Sequence, residues 1–253
     1  MTAYALQAVS VATVRLPART TTPLTLRKVR GFEATDYAWQ HERIVWAGTH
    51  AHTDHPRNAW RPWQPAPLSC DAQRLQRGAS ACMAMLAELP PLGLLPWLIG
   101  GPLPFPMDRV APRFKAVRDA LQSNDCCAFD AAALRVLGLG PGLTPSGDDF
   151  IGAIFFALMH APRARWQGQM PALQTRIRAA AATATNLISA ALLDDLMAGR
   201  SYRCLHELLA ALHSQDPAQI EASARTLQRI GASSGADMLA GLLLALSTWH
   251  ESF

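Results

Sequence analysis

Lysine is nearly missing from this chain: Lys28 and Lys115 are the only two among 23 lysines and arginines. The arginines are scattered, so no basic tract exists to follow a nucleic-acid backbone. A Schiff-base lysine would have to be one of those two, and neither stands in a motif. Charge is sparse altogether, 17% against 50% hydrophobic residues, a balance that excludes intrinsic disorder. Long apolar runs are lacking as well. The most apolar helical stretch, residues 149–159, falls well short of the ~20 residues needed to span a bilayer. No basic segment leads into an apolar one at the N-terminus, so the expectation is a soluble, cytoplasmic chain without membrane contact. The five cysteines, at 70, 82, 126, 127 and 204, form no C-x-x-C and no disulfide framework and read as reduced, packed thiols.

What is present divides at a run of prolines. Residues 1–67 hold Trp39, Trp46, Trp60 and Trp63 and short β-branched runs broken by Gly31, Gly48 and Pro56, which predicts a small antiparallel sheet or partial barrel. After Pro62, Pro65 and Pro67, residues 68–253 follow helical spacing almost throughout. Helices are expected from Asp71, Phe114, Ala128, Asp149, Pro171, Tyr202, Pro217 and Asp237, with the one from Pro171 running unbroken to Ala198. Thr185, Asn186 and Ser189 put polar groups on that helix, either bonded to backbone and neighbouring helices or forming a ligand-facing stripe. The proline-rich, apolar segment 90–112 reads as an ordered covering loop. The expected fold class is therefore α+β: a β-rich N-terminal subdomain to residue 67, then a mainly helical domain. His41, His50, His52 and His55 make the one histidine cluster, either a solvated hairpin loop or a metal site.

Residues 138–152, G-L-G-P-G-L-T-P-S-G-D-D-F-I-G, are the most informative stretch. Its glycines and prolines forbid a helix until Asp149, after which the chain is almost wholly apolar. A glycine-rich loop feeding a helix start favours negative charge, because free N–H groups and the helix dipole act together. Two familiar loops are excluded by spacing. The dinucleotide fingerprint needs glycine where Leu143 stands, and the P-loop needs Lys-Ser/Thr where Asp148-Asp149 stand. The two aspartates either cap the helix or hold a magnesium-type cation that bridges to an anionic ligand. The stretch also has an echo: residues 146–158 align without gaps on residues 234–246, pairing Ser146 with Ser234, Gly147 with Gly235 and Asp149 with Asp237. Either two buried Ala/Leu-rich helices look alike, or an internal duplication points two helix starts at one ligand.

G-L-G-P-G-L-T-P-S-G-D-D-F, followed much later by S-G-A-D-M-L-A-G-L, resembles the AllH (YlbF-like) family. The likeness extends over roughly residues 70–250. It implies a subunit of oxamate carbamoyltransferase in anaerobic allantoin and purine degradation, working with two different partner subunits on oxalurate and phosphate to give oxamate and carbamoyl phosphate. Gly140, Gly142, Leu143, Thr144, Ser146, Gly147, Asp148 and Asp149, with Ser234, Gly235 and Asp237, are then the expected ligand-binding residues. Asp148 and Asp149 are the candidate magnesium ligands.

Covalent catalysis finds little support. Residues 231–235 formally match G-x-S-x-G, but a nucleophile elbow needs a preceding strand and a later histidine. A helix is expected there, and only His250 follows. Preorganised donors can instead stabilise the oxyanion of carbamoyl transfer without a covalent catalyst. Two alternatives stay open: a non-catalytic interaction subunit of the same complex, or a stand-alone binder of a small carboxylate or phosphate ester.

Overall fold

Where side chains repeat at helical spacing, helices form. The computed structural model describes residues 24–26, 35–40, 43–46, 71–103 and 105–249. The chain divides into two units, Met1–Gln64 and Pro65–Phe253. In the first, β1 (Leu24–Leu26), β2 (Thr35–Gln40) and β3 (Arg43–Trp46) form an antiparallel sheet in the order β1-β2-β3. Tyr37 lies opposite Leu24 on one side and Trp46 on the other. The histidine cluster lies outside the described residues.

The second unit contains no strand among its described residues. Its α-helices are α1 (Ala72–Met85), α2 (Leu95–Leu98), α3 (Ala111–Gln122), α4 (Cys126–Leu134), α5 (Ser146–His160), α6 (Met170–Ala184), α7 (Leu187–Met197), α8 (Arg203–Ser214), α9 (Pro217–Leu227) and α10 (Ser234–Ser247). The described hydrophobic core, from Leu75 to Leu246, comes entirely from these helices and their connections. The expected α+β class is therefore corrected to an all-α domain. The tryptophan-rich and β-branched runs that suggested otherwise all precede residue 65.

The centre of the core is the pair α5 and α10. Every residue from Ser146 to Leu158 and from Gly235 to Leu246 is buried, as expected for helices apolar on all faces. A Cβ on Gly241 would lie 2.2 Å from the Phe150 carbonyl oxygen, so the bare glycine is what lets the two backbones approach this closely. Trp97, Phe114 and Phe150 meet edge to face with ring centroids 5.5–6.0 Å apart, which fastens α2 and α3 to α5. Arg118 covers the Trp97 ring at 4.0 Å and donates to the Trp97 and Leu98 carbonyls. The proline-rich segment is thus ordered through contacts, with α2 inside it.

The expected long helix from Pro171 is broken. Thr185 is extended, at φ −136 and ψ −179. Asn186 then caps α7, its side chain accepting from the Ile188 and Ser189 amides. Periodicity alone passes over this break because Thr-Asn can continue a helix as well as restart one.

The echo seen between the two motifs extends well beyond them. Asp125 caps α4 and Asp216 caps α9, each through its side chain. Each cap follows a residue of positive φ, Asn124 and Gln215. Buried Phe114, Val117 and Leu121 on α3 match buried Leu205, Leu208 and Leu212 on α8. Gly147 donates to Leu139 O at 2.8 Å and Gly235 to Ile230 O at 3.0 Å. A Cβ on Gly147 would lie 1.8 Å from Val136 O, and one on Gly235 1.8 Å from Leu227 O. One plan of three helices is used twice, as α3–α5 and α8–α10. Pro141, Gly142 and Leu143 are an insertion in the first copy.

Candidate functional site

The two copies meet at the starts of α5 and α10. Thr144 Oγ1 and Ser234 Oγ lie 2.6 Å apart, joining the first glycine loop to the second helix. The aspartates cross in the same way. Asp149 on α5 is within hydrogen-bonding reach of Ser234 and Thr144, and Asp237 on α10 is within reach of Ser146 and Ser233. Each helix thus presents a carboxyl to the serine that opens the other. The two motifs, distant in sequence, form one junction.

Both carboxyls are buried, Asp149 at 5% exposure and Asp237 at 0%. Asp237 Oδ1 accepts from the Leu94 amide at 2.8 Å, while Oδ2 of each aspartate is buried without a partner. Burial pushes the Asp149 carboxyl up to about 7, with Asp237 and Asp148 raising it further and the Ser234 and Thr144 hydroxyls partly offsetting the rise. Burial likewise raises Asp237, against the pull of Ser146, Ser233 and the Leu94 amide. Burial, and after it the negative charge of Asp149, raises the Tyr202 phenol. Uncompensated desolvation is the common cause.

Asp148 has a different environment. Its Oδ1 accepts from the Gly138 amide at 2.7 Å, and its Oδ2 from Thr185 Oγ1 at 2.5 Å and Ser189 Oγ at 2.6 Å. It therefore fastens the glycine loop to the α6–α7 break, and its side chain diverges from that of Asp149. Three of the roughly four acceptor positions of the Asp148 carboxylate are thus occupied by protein donors. Among the described residues, no group of three or more His, Cys, Asp or Glu could hold a metal ion.

The helix-start amides are also largely engaged. Gly147 donates to Leu139 O, Asp148 and Asp149 to Pro145 O, and Asp237 to Ser233 O. Gly147 and Gly235 thus serve close backbone packing. Gly140 has φ +119, and a Cβ there would lie 2.6 Å from the Ser146 amide nitrogen. Gly142 and Leu143 form an exposed tip, where nothing lies within 4 Å of an added Cβ on Gly142. Half-buried Thr144 and Ser234 are the hydroxyls within reach of Asp149.

Sequence reasoning misses two participants, Gly93 and Leu94. Gly93 has positive φ, and a Cβ there would lie 2.3 Å from Asp237 Oδ1. Its signal is a glycine isolated between prolines and an apolar run. Thr185, Asn186 and Ser189 turn out to bond within the protein. Thr185 and Ser189 donate to Asp148, and Asn186 donates to the Leu143 carbonyl at 2.7 Å.

Fold and site define a class first: an all-α domain with a duplicated helical unit, whose two copies oppose helix starts and buried aspartates. Residues 136–246 match the family described as oxamate carbamoyltransferase subunit AllH. This matched stretch contains both motifs and the junction between them. No curated protein and no solved structure matches the chain. Among the described residues, no helix is long and apolar enough to cross a membrane.

Proposed function

We propose that this chain works as the AllH subunit of an oxamate carbamoyltransferase, and that the junction of α5 and α10 is its ligand site. The family match across both motifs carries the assignment. The reaction is transfer of a carbamoyl group from oxalurate to phosphate, leaving oxamate. Its barrier lies in a tetrahedral state with charge on oxygen, which hydroxyl donors and helix starts can stabilise. We assign this role to the hydroxyls of Thr144 and Ser234, which lie 2.6 Å apart at the junction.

A subunit also needs a surface for its partners. Leu143 is 69% exposed, Leu187 87% and Ile188 49%, and the Asn186–Leu143 bond brings them together beside the junction. Exposed apolar residues grouped in this way mark association surfaces. We assign this patch to contact with the partner subunits of the complex, next to the ligand site.

The test is reconstitution. The full chain, alone and with its two partner subunits, is assayed for carbamoyl phosphate formed from oxalurate and phosphate, with and without magnesium. Activity is expected in the complex only. Activity in the chain alone would overturn the subunit reading. A complex that forms but shows no transfer would favour a different small-molecule substrate. Dependence on magnesium would indicate that phosphate enters together with a cation.

A further inference from the structure

The proline-rich segment and the start of α3 place an apolar groove close to a group of unmatched positive charges. The groove has a volume of about 420 Å³, and its lining includes Leu86, Leu89, Leu95, Ile99 and Gly101. That volume is in the range of binding clefts, every residue lining it is apolar, and Ile99 is 48% exposed. Phe105 follows Gly101 by four residues, so the two lie at most about 14 Å apart. Phe105 is 73% exposed, and the Arg109 guanidinium covers its ring at 5.3 Å. Arg109 lies in the single turn Met107–Val110, which runs straight into α3. Arg113 stands four residues further on, the spacing at which side chains of successive turns are neighbours. It donates to the Arg135 carbonyl at 3.2 Å, which brings a third exposed arginine to the same place.

The charge of this group is unmatched among the described residues. Arg176, Arg178, Arg200 and Arg225 each face an aspartate or glutamate. Arg109, Arg113 and Arg135 form no such pair, even with Asp108, the one acid between Phe105 and Arg118. The bond from Arg113 to the end of α4 accounts for its position, since helix C-termini favour cations, but like charges one turn apart still repel. A small anion would match the charge and leave the groove and Phe105 bare. An apolar molecule would fill the groove and leave the charge unmatched. A peptide segment carrying both kinds of side chain meets both needs, and about four extended residues cover the span between them.

We propose that this face is a docking surface for an extended acidic segment of a partner protein. An apolar side chain of that segment enters the groove, and carboxylates a few residues along it pair with Arg109, Arg113 and Arg135 across Phe105. Arginine and aromatic side chains are the types that anchor such interfaces. The surface shares no residue with the apolar patch of Leu143, Leu187 and Ile188, and it stands whether or not the chain works as a carbamoyltransferase subunit.

Fluorescence anisotropy on the full chain tests this with two synthetic peptides. Each carries a pair of leucines and a run of glutamates about four residues apart, in one order or the other. At least one is expected to bind, and more weakly at high salt, where exposed charges are screened. Exchanging its glutamates for glutamines should weaken binding about tenfold, the combined loss of several exposed charge pairs. Arg109→Gln, Arg113→Gln and Arg135→Gln made together should do the same, as should serines in place of the leucines, or Ile99→Ser. All four substituted positions are exposed, so an unchanged melting temperature verifies the fold. No binding of either peptide would overturn the proposal. So would binding that ignores the three arginine substitutions, or binding that ignores both Ile99→Ser and the loss of the leucines. Duplex DNA and vesicles of anionic lipid are measured alongside. Tighter binding of either, abolished by the arginine substitutions, would refute a protein partner.

Discussion

Asp148 and Asp149 show how far adjacent identical residues can differ. Asp148 has three hydrogen-bond donors from three segments of the chain. Asp148→Ala strands all three, and should destabilise the domain by about 3 kcal/mol, the range for breaking a buried charged network; Ser189→Ala should cost about 1 kcal/mol. Urea unfolding checks both. Asp149 is instead held as a reluctant acid. Its folded value of about 7 lies above the ordinary 3.8, so between those values the folded chain keeps a proton that the unfolded chain releases. Its contribution to stability is full below about pH 4, falls as pH rises, and is lost through pH 7. Asp149→Asn should flatten that slope and stabilise the chain at pH 8 relative to the parent, as denaturation at pH 5 and pH 8 would report.

At the scale of elements, the glycines divide into two kinds that look alike in sequence. Gly147 and Gly235 sit where a Cβ would lie 1.8 Å from a backbone carbonyl oxygen. Gly147→Ala and Gly235→Ala should therefore each cost about 3 kcal/mol or more, since the obstruction is backbone and cannot swing aside. Gly142→Ala meets only the strain of its positive φ, +96, about 1–2 kcal/mol. Thermal melts of the three variants would separate them, and equal losses would contradict the packing geometry. Elsewhere in the core, Arg163 is 3% exposed and is held by neutral oxygens. It donates to Leu121 O at the end of α3, and to Ala245 O and Thr248 O at the end of α10. Burial lowers it to about 10, which leaves it charged at neutral pH and opposed to the negative ends of two helix dipoles.

At the scale of the whole molecule, the described members of the helical core all lie in helices and their connections. A chain restricted to residues 65–253 should give a helix-dominated circular dichroism spectrum and a cooperative melt. A spectrum dominated by strand would contradict the all-α class. The exposed patch makes a separate prediction. Replacing Leu143→Ser, Leu187→Ser and Ile188→Ser together should leave the melting temperature nearly unchanged, because all three are exposed, but weaken copurification with partner subunits by about tenfold or more, the loss expected when apolar anchors leave an interface. Retained assembly would place the interface elsewhere.

The sequence by itself determined most of the helices, because apolar spacing at 3.6 residues is a local property, but not the break at Thr185 that divides α6 from α7. It also marked both loops through their Ser-Gly starts, and the family through the motif from Gly138 to Phe150. It suggested the duplication, since Ser146 pairs with Ser234 and Asp149 with Asp237 in an ungapped alignment. The tertiary structure decided which aspartate does what. Only packing brings Thr185 and Ser189 to Asp148, and only the meeting of α5 and α10 sets Asp149 beside Ser234. Local pattern likewise could not reveal that Gly93 yields space to Asp237, or that the break at Thr185 turns a hydroxyl toward a carboxylate. A residue's partners depend on segments far away in the chain, so its chemistry is fixed only once those segments have packed.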